Sequence, residues 1–415
     1  MLGKLTVLLA LLASCGSVSL AASGLDNTPT NSRISGITGT LKNLKAVKLP
    51  SEQRRWGGVP DDARTLLTEL KHQLRDVLSD AVTSQRGSEA DPRAMSANLL
   101  KELRRSGIEV KSQDCHQAYG CIVQVGFRQP SGFPNLLVAT SIVTAYCARD
   151  ASLYIFERKG AQYELTLSLE SDDYALTTGA QNQLRYAVLA PAEANSRWAV
   201  VTTDVEAACA SSSVWRRIRL RVLQPSGIPD HPEVLLSRGD EAKLPDENGY
   251  SLLAGGDSFT LTYNGSMILD GGIDFRKHVA RYRVTESGVT RVPPLALLPQ
   301  DFVDEWIQLP WSQASVWNRS ADVARIQDWH DRIRTAKSAD VYSKLDFVQQ
   351  CGEGVKNWQV ALAISLAGGI KSLSDDVYFS VSKQDDSYFV TDIRSVRARG
   401  CPGESPPVES YPANP

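Results

Sequence analysis

Three thirteen-residue segments in the middle of the chain follow one pattern: NLLVATSIVTAYC from Asn135, RWAVVTTDVEAAC from Arg197 and SFTLTYNGSMILD from Ser258. All are rich in β-branched and aromatic residues, which favour a pleated strand. Each is followed by a second strand, a turn and a further strand: SLYIFERKGAQYELTLSL, RRIRLRVLQPSGIPDHPEVLL and HVARYRVTESGVTRVPPLALL. Leu136, Trp198 and Phe259 therefore recur at steps of 62 and 61 residues. Trp198 to Gly227 and Phe259 to Gly288 are both steps of 29. Such a period holds about four short antiparallel strands, the size of one propeller blade. The expected fold is mainly β, a repeat of four-stranded antiparallel units, with the repeated segment as the innermost strand of each unit.

A fourth candidate starts at WQVALAISL from Trp358 and continues as DVYFSVSKQDDSYFVTDI. It comes 99 residues after Phe259, and a helix fills the gap, with Val323, Ile326, Trp329 and Ile333 on one face and Ser320 as its cap. Three blades do not close a ring. Cys351 and Cys401 bracket the last β-rich segment, which is expected to form a small α+β domain of its own. Ahead of the repeat, two helices are predicted. Leu67, Leu70, Leu74, Val77 and Ala81 form one apolar stripe, with Asp61 or Asp62 as the cap. DPRAMSANLLKELRRSG carries Asp91 as N-cap, Pro92 at the first helical position and Gly107 at the left-handed end. The expected layout is an export signal at 1–22, a flexible linker at 23–60, a helical segment at 61–110, the β-repeat at 111–310, a helical connector at 311–340 and the C-terminal domain at 341–415.

The first residues, MLGKLTVLLALLASCGSVSLAASG, combine one basic residue with a short apolar run, as in a cleaved export signal. Two cleavage sites compete. Ser19-Leu20-Ala21 suits a general signal peptidase, whereas Leu12-Ala13-Ser14-Cys15 resembles the lipobox of bacterial lipoproteins. That resemblance covers only residues 1–15, and it implies that Cys15 is acylated and becomes the first residue. The small, polar residues after Cys15 suit a tether. No later stretch is long enough to cross a bilayer as a helix: WQVALAISLAGGI has 13 residues where about 20 are needed. With Cys15 cleaved or capped, six cysteines remain, an even number that suggests disulfides in an exported chain. The spacing pairs Cys115 with Cys121 and Cys351 with Cys401, leaving Cys147 with Cys209. A metal site at Cys115, His116 and Cys121 is the rival reading of CHQAYGC, although its spacing matches no standard zinc motif.

A formal charge of −2 supplies no field for nucleic acid or anionic lipid. The chain lacks G-x-S-x-G, H-E-x-x-H, Walker A and EF-hand patterns. No catalytic residue, metal or cofactor is expected. His330 in DWHDR belongs to an amphipathic helix, where Asp328 and Arg332 form an i,i+4 pair. Asp301, Asp304 and Glu305 form a carboxylate cluster whose separation in space decides whether it can act on a glycosidic bond. The candidate binding residues are Trp215, Arg217, Arg219 and Arg221 in VWRRIRLRV, one face of a strand whose other face, Ile218, Leu220 and Val222, is expected in the core. An exposed row paired with acidic neighbours such as Glu164, Glu170, Asp172 or Asp173 is the structural alternative. The functional expectation is an exported, lipid-anchored binding or scaffold module of the cell envelope. Its partner would be an envelope protein or polymer, and its only membrane contact the lipid anchor. The alternative is an exported hydrolase with its site on the β-repeat.

Overall fold

The structure, a computed structural model, describes residues 28–48, 59–84, 91–109, 118–146, 148–171, 181–190, 197–206, 215–243, 249–266, 275–285, 288–338, 341–352, 356–366, 376–398 and 401. It is mainly β and contains four consecutive four-stranded antiparallel meanders. The first joins β1 (Ala118–Arg128), β2 (Leu136–Tyr146), β3 (Ala148–Lys159) and β4 (Gln162–Leu169). The second joins β5 (Gln181–Leu189), β6 (Ala199–Glu206), β7 (Trp215–Gln224) and β8 (Glu233–Lys243). The third joins β9 (Tyr250–Gly255), β10 (Ser258–Ser266), β11 (Phe275–Thr285) and β12 (Gly288–Arg291). The fourth joins β13 (Val341–Gln350), β14 (Asn357–Leu366), β15 (Asp376–Gln384) and β16 (Ser387–Arg394). β8 and β10 meet at Ala242 and Gly265, which fuses the second and third meanders into one eight-stranded sheet.

The repeat read from the sequence is present. Its three segments are β2, β6 and β10, and the fourth candidate is β14. One detail differs. These are the second strands of their units, because β1, β5, β9 and β13 come before them. The strand signal in AYGCIVQVGFR and QNQLRYAVL is diluted by glycine, glutamine and arginine, so the first strand of a unit stands out less than the second. Among the described residues the ladders stay open and do not join into a ring.

Both predicted helices form. The first is Asp61–Thr83, with Leu67, Leu70, Leu74 and Val77 fully buried. Pro60 holds its N-cap position, and Asp61 and Asp62 lie in the first turn, where negative charge suits the helix dipole. The second is Pro92–Arg105, where the Asp91 carboxylate accepts from the amides of Arg93 and Ala94. It ends as expected at Gly107, whose φ of 78° is the left-handed region, with Ile108 N donating to Leu103 O. A further helix, Thr28–Ala46, precedes both, inside the segment expected to be a linker. In chain order these helices are α1 (Thr28–Ala46), α2 (Asp61–Thr83) and α3 (Pro92–Arg105). The small and polar residues of α1 are poor helix formers, which is why its sequence resembles a linker. Ile34, Ile37, Leu41 and Leu44 nevertheless recur at steps of three and four and are buried. Tertiary burial outweighs weak propensity here, since each such side chain contributes about 1.5–3 kcal/mol when removed from water.

The first meander is the middle layer. One face, with Tyr119, Val123, Leu137, Tyr154 and Phe156, packs on the three helices. The other, with Leu136, Val138, Leu153, Ile155 and Leu167, packs on Val200 and Leu223 of the second meander. The second and third meanders share a core of Ile218, Leu220 and Val222 against Phe259, Leu261 and Tyr282.

The fourth meander is a separate sheet with its own helices: α4 (Pro299–Gln308), α5 (Trp311–Ala314), a 3-10 turn (Ser315–Trp317) and α6 (Val323–Ser338). Its core combines Phe302, Trp306, Trp317 and Ile326 with Val360, Phe379 and Val390. In α6 the buried stripe is Ile326, His330 and Ile333, whereas Val323 is half exposed. Ser320 is not the cap of α6: the Asp322 carboxylate accepts from Arg325 N, and the Ser320 hydroxyl accepts from Asp322 N. The Cys351–Cys401 disulfide forms as expected and closes a 50-residue separation around this sheet. By the chain-entropy model such a closure contributes about 4 kcal/mol. Cys121 is disulfide-bonded as well. Cys15, Cys115, Cys147 and Cys209 lie outside the described residues, as does His116.

Candidate ligand cleft

The arginine row is where the sequence places it. Ile218, Leu220 and Val222 point into the core, and Arg217, Arg219 and Arg221 take the opposite face of β7. That face is not a free surface. Strand register puts Arg221 opposite Thr202 and Thr202 opposite Tyr186, so the row shares its face with the residues that pack on the first meander. Its acidic partner is Asp204 on β6, a residue the sequence reading did not single out. Arg221 Nη2 donates to Asp204 Oδ2 at 2.7 Å, and Arg219 Nε lies 3.5 Å from Oδ1. The Asp204 side chain is wholly buried, and burial raises its pKa despite the opposing Arg221 and Arg219. The expected partners are occupied elsewhere: Glu164 pairs with Lys159, and Glu170 with His72 and Arg75. Asp172 and Asp173 lie outside the described residues. Arg217 is exposed and lies along bare backbone, since a Cβ at Gly239 would meet its Cδ at 3.4 Å. Trp215 opens β7, and its side chain lies outside the description.

The carboxylates near residue 300 have become part of a buried ionic core. Every residue of α4 from Pro299 to Ile307 is buried. Asp304 takes Arg276 at 2.8 Å, and Glu305 takes Arg276 at 3.0 Å and His278 Nδ1 at 2.9 Å. The His278 ring stacks on Tyr263 with 4.7 Å between centroids. Burial raises the Glu305 pKa less than Arg276, His278 and Arg291 lower it, so its carboxyl stays well below the usual range. Two arginines answering two carboxylates fasten α4 to β11 and β12. His330 is buried too, its ring 4.7 Å from Trp306 and 5.4 Å from Trp311, and burial lowers its pKa. The expected surface pair, Arg332 with Asp328, lies on the same helix at 3.8 Å.

A cleft of about 460 Å³ opens where the first meander, β5 and the β9–β10 turn come together. Its first wall is the β1–β2 turn. Gly132 takes a φ of 83°, Phe133 N donates to Pro130 O, and Gln129 Nε2 donates to Pro134 O, so the turn holds its own shape. Arg128 at the end of β1 and Phe133 project from this side of the cleft lining. The second wall is Tyr186, Ala187, Val188 and Ala190 of β5. The third is Ala254, Gly255 and Gly256, with Gly256 at a φ of 59°. Ala190 N donates to Gly256 O, and Arg185 Nη1 donates to Tyr250 O, which clamps the second wall to the third. Burial raises the Tyr186 pKa, and the Arg128 charge opposes that shift. Among the described residues no His or carboxylate lines the cleft, and no group of three or more His, Cys, Asp or Glu is placed to hold a metal.

None of the cleft residues was singled out in the sequence. Phe133 sits in a turn, Tyr186 in a weak strand, and the glycines in a hairpin 70 residues further on, so no local spacing links them. No protein-family model and no curated protein matches the chain.

Proposed function

We propose that the chain is an exported, lipid-tethered binding module of the cell envelope, with its ligand site in the cleft between the first meander, β5 and the β9–β10 turn. The observation that carries this reading is the chemistry of the walls. Phe133, Tyr186 and Val188 supply apolar surface, Gly132, Gly255 and Gly256 leave backbone uncovered, and Arg128, Ser131 and Tyr186 supply polar side chains. Apolar and polar surface share the walls about equally, and a concavity that joins apolar contact to a few oriented polar groups can hold a small molecule. The carboxylates that hydrolysis would use, Asp304 and Glu305, are buried against Arg276, and Glu305 also meets His278 Nδ1. Export is supported by the leader and by the Cys351–Cys401 bridge, because disulfides persist in oxidising compartments. Tethering is supported by the lipobox-like residues that end at Cys15.

Ala254 is exposed at the cleft mouth, so Ala254→Trp fills the cleft without disturbing the core. In a thermal-shift panel of small amphipathic molecules, at least one should raise the Tm of the wild type and leave Ala254→Trp unmoved. Hits that stabilise both equally would place binding elsewhere. The tether has its own test, the mass of the mature N-terminus. A chain beginning at acylated Cys15 is expected, and an unmodified start near Ala22 would remove the anchor from the proposal.

A further inference from the structure

We propose that the ligand of this cleft is a small organic acid, an apolar body carrying one carboxylate, which Arg128 and Tyr186 bind together. The inference rests on the reading of the cleft as the ligand site and adds the chemistry of its occupant.

The argument begins with how this molecule treats its arginines. Several are matched to acids where elements meet: Arg75 of α2 to Asp230, Arg221 to Asp204 across β7 and β6, and Arg276 of β11 to Asp304 of α4. Arg128 also stands at such a contact, at the junction of the first and second meanders, yet no carboxylate among the described residues pairs with it, and none lines the cleft. A guanidinium presents a planar fork of donors that fits a carboxylate bidentately. Beside it in the same lining is Tyr186, whose hydroxyl has no hydrogen-bond partner among the described residues. The two groups come from opposite walls, Arg128 from β1 and Tyr186 from β5, so they meet only in the folded protein. A phenol hydroxyl can donate to one oxygen of a carboxylate while the guanidinium holds it, and both bonds are charge-assisted.

The rest of the lining describes the ligand's other end. Phe133 and Val188 offer apolar contact, and the two aromatic rings suit a flat or branched hydrocarbon. Gly132 and Gly256 take positive φ, so their turns require glycine, and an added Cβ at either would meet nothing within 4 Å. The turn geometry thus keeps the mouth open. At about 460 Å³ the space is at the small end of ligand sites, which favours a free small molecule.

The test uses the mature full-length protein and three probes of one shape: 3-phenylpropanoate, 3-phenylpropanamide and 3-phenylpropan-1-ol, each titrated by calorimetry. The acid should bind about tenfold more tightly than the amide, the equivalent of one good charge-assisted hydrogen bond. Arg128→Gln should erase that preference while leaving the amide's affinity in place. Tyr186→Phe should shrink it, and Arg128→Lys should keep part of it. Unchanged Tm values for the variants show that they remain folded. Equal binding of acid and amide in the wild type, abolished for both by Ala254→Trp, would overturn the carboxylate and leave the cleft as the site. Binding of none of the probes, or binding that Ala254→Trp does not affect, would overturn the cleft reading and this inference with it.

Discussion

The first and fourth meanders are the same supersecondary unit in different surroundings. Both are four-stranded, both lie against helices, and both carry the repeated segment as their second strand. In the first, helices cover one face and the second meander covers the other. Leu153, Tyr154, Ile155 and Phe156 on β3 are accordingly all buried. In the fourth, only one face of β15 is covered. Val377, Phe379 and Val381 are buried, whereas Tyr378, Ser380 and Ser382 alternate with them half-exposed. A strand with two dry faces needs a continuous apolar run, and a strand with one needs alternation. The difference also locates polar chemistry. The covered first meander buries a charge pair, Lys71 with Asp150 at 3.2 Å, and the Lys71 ammonium also donates to Ser171 O. The fourth instead places a neutral ring, His330, between Trp306 and Trp311.

The largest effect should come from the buried pair. Lys71→Ala leaves the Asp150 carboxylate in the interior without its cation, a loss of about 3–5 kcal/mol. Lys71→Met combined with Asp150→Leu should cost less than the single change, because no charge remains to be desolvated. Urea denaturation of both variants checks the ordering, and a double variant less stable than Lys71→Ala would show that the stranded Asp150 charge is not what destabilises the single variant.

The next effect separates the two sheets directly. Ile155 and Ser380 are corresponding positions, each following the aromatic residue that faces the helices. Ile155→Ala should cost about 2–5 kcal/mol as a core truncation. Ser380→Ala should stay within about 0.5 kcal/mol, as a change on an open face. A large loss at Ser380 would show that something covers the fourth sheet as well.

The smallest effect is set by pH. Burial lowers the His330 pKa below its ordinary value of 6.5, against the opposing Asp331. The unfolded chain therefore takes up the proton more readily than the folded one. The stability that neutral His330 provides is present in full above pH 6.5 and is lost as pH falls below it. In urea titrations at pH 7.5 and 5.5, His330→Phe should lose less stability on acidification than the wild type. An equal loss in both would assign the acid sensitivity to other groups.

How much was legible depends on whether the signal is local. The strand repeat, the helix of Asp61–Thr83, the Asp91 cap and the core face of β7 can be read because each depends on residues two to four apart. Helix α1 was legible only as the stripe Ile34, Ile37, Leu41 and Leu44, and its glycines and threonines masked it. The half-buried setting of Arg219 and Arg221 was not legible, because their partner Asp204 comes from the neighbouring strand. The cleft was not legible at all.

By itself, then, the sequence determined most element types, the repeated unit and the inward face of β7, because backbone propensity and side-chain alternation act over a few residues. Only the tertiary structure decided which faces are covered twice, which charges are buried in pairs, and that Arg128, Phe133, Tyr186 and Gly256 share one cleft. Those outcomes depend on the packing of one sheet upon another, and the residues that meet there are separated by up to 128 positions, from Arg128 to Gly256, a distance over which no sequence periodicity carries information.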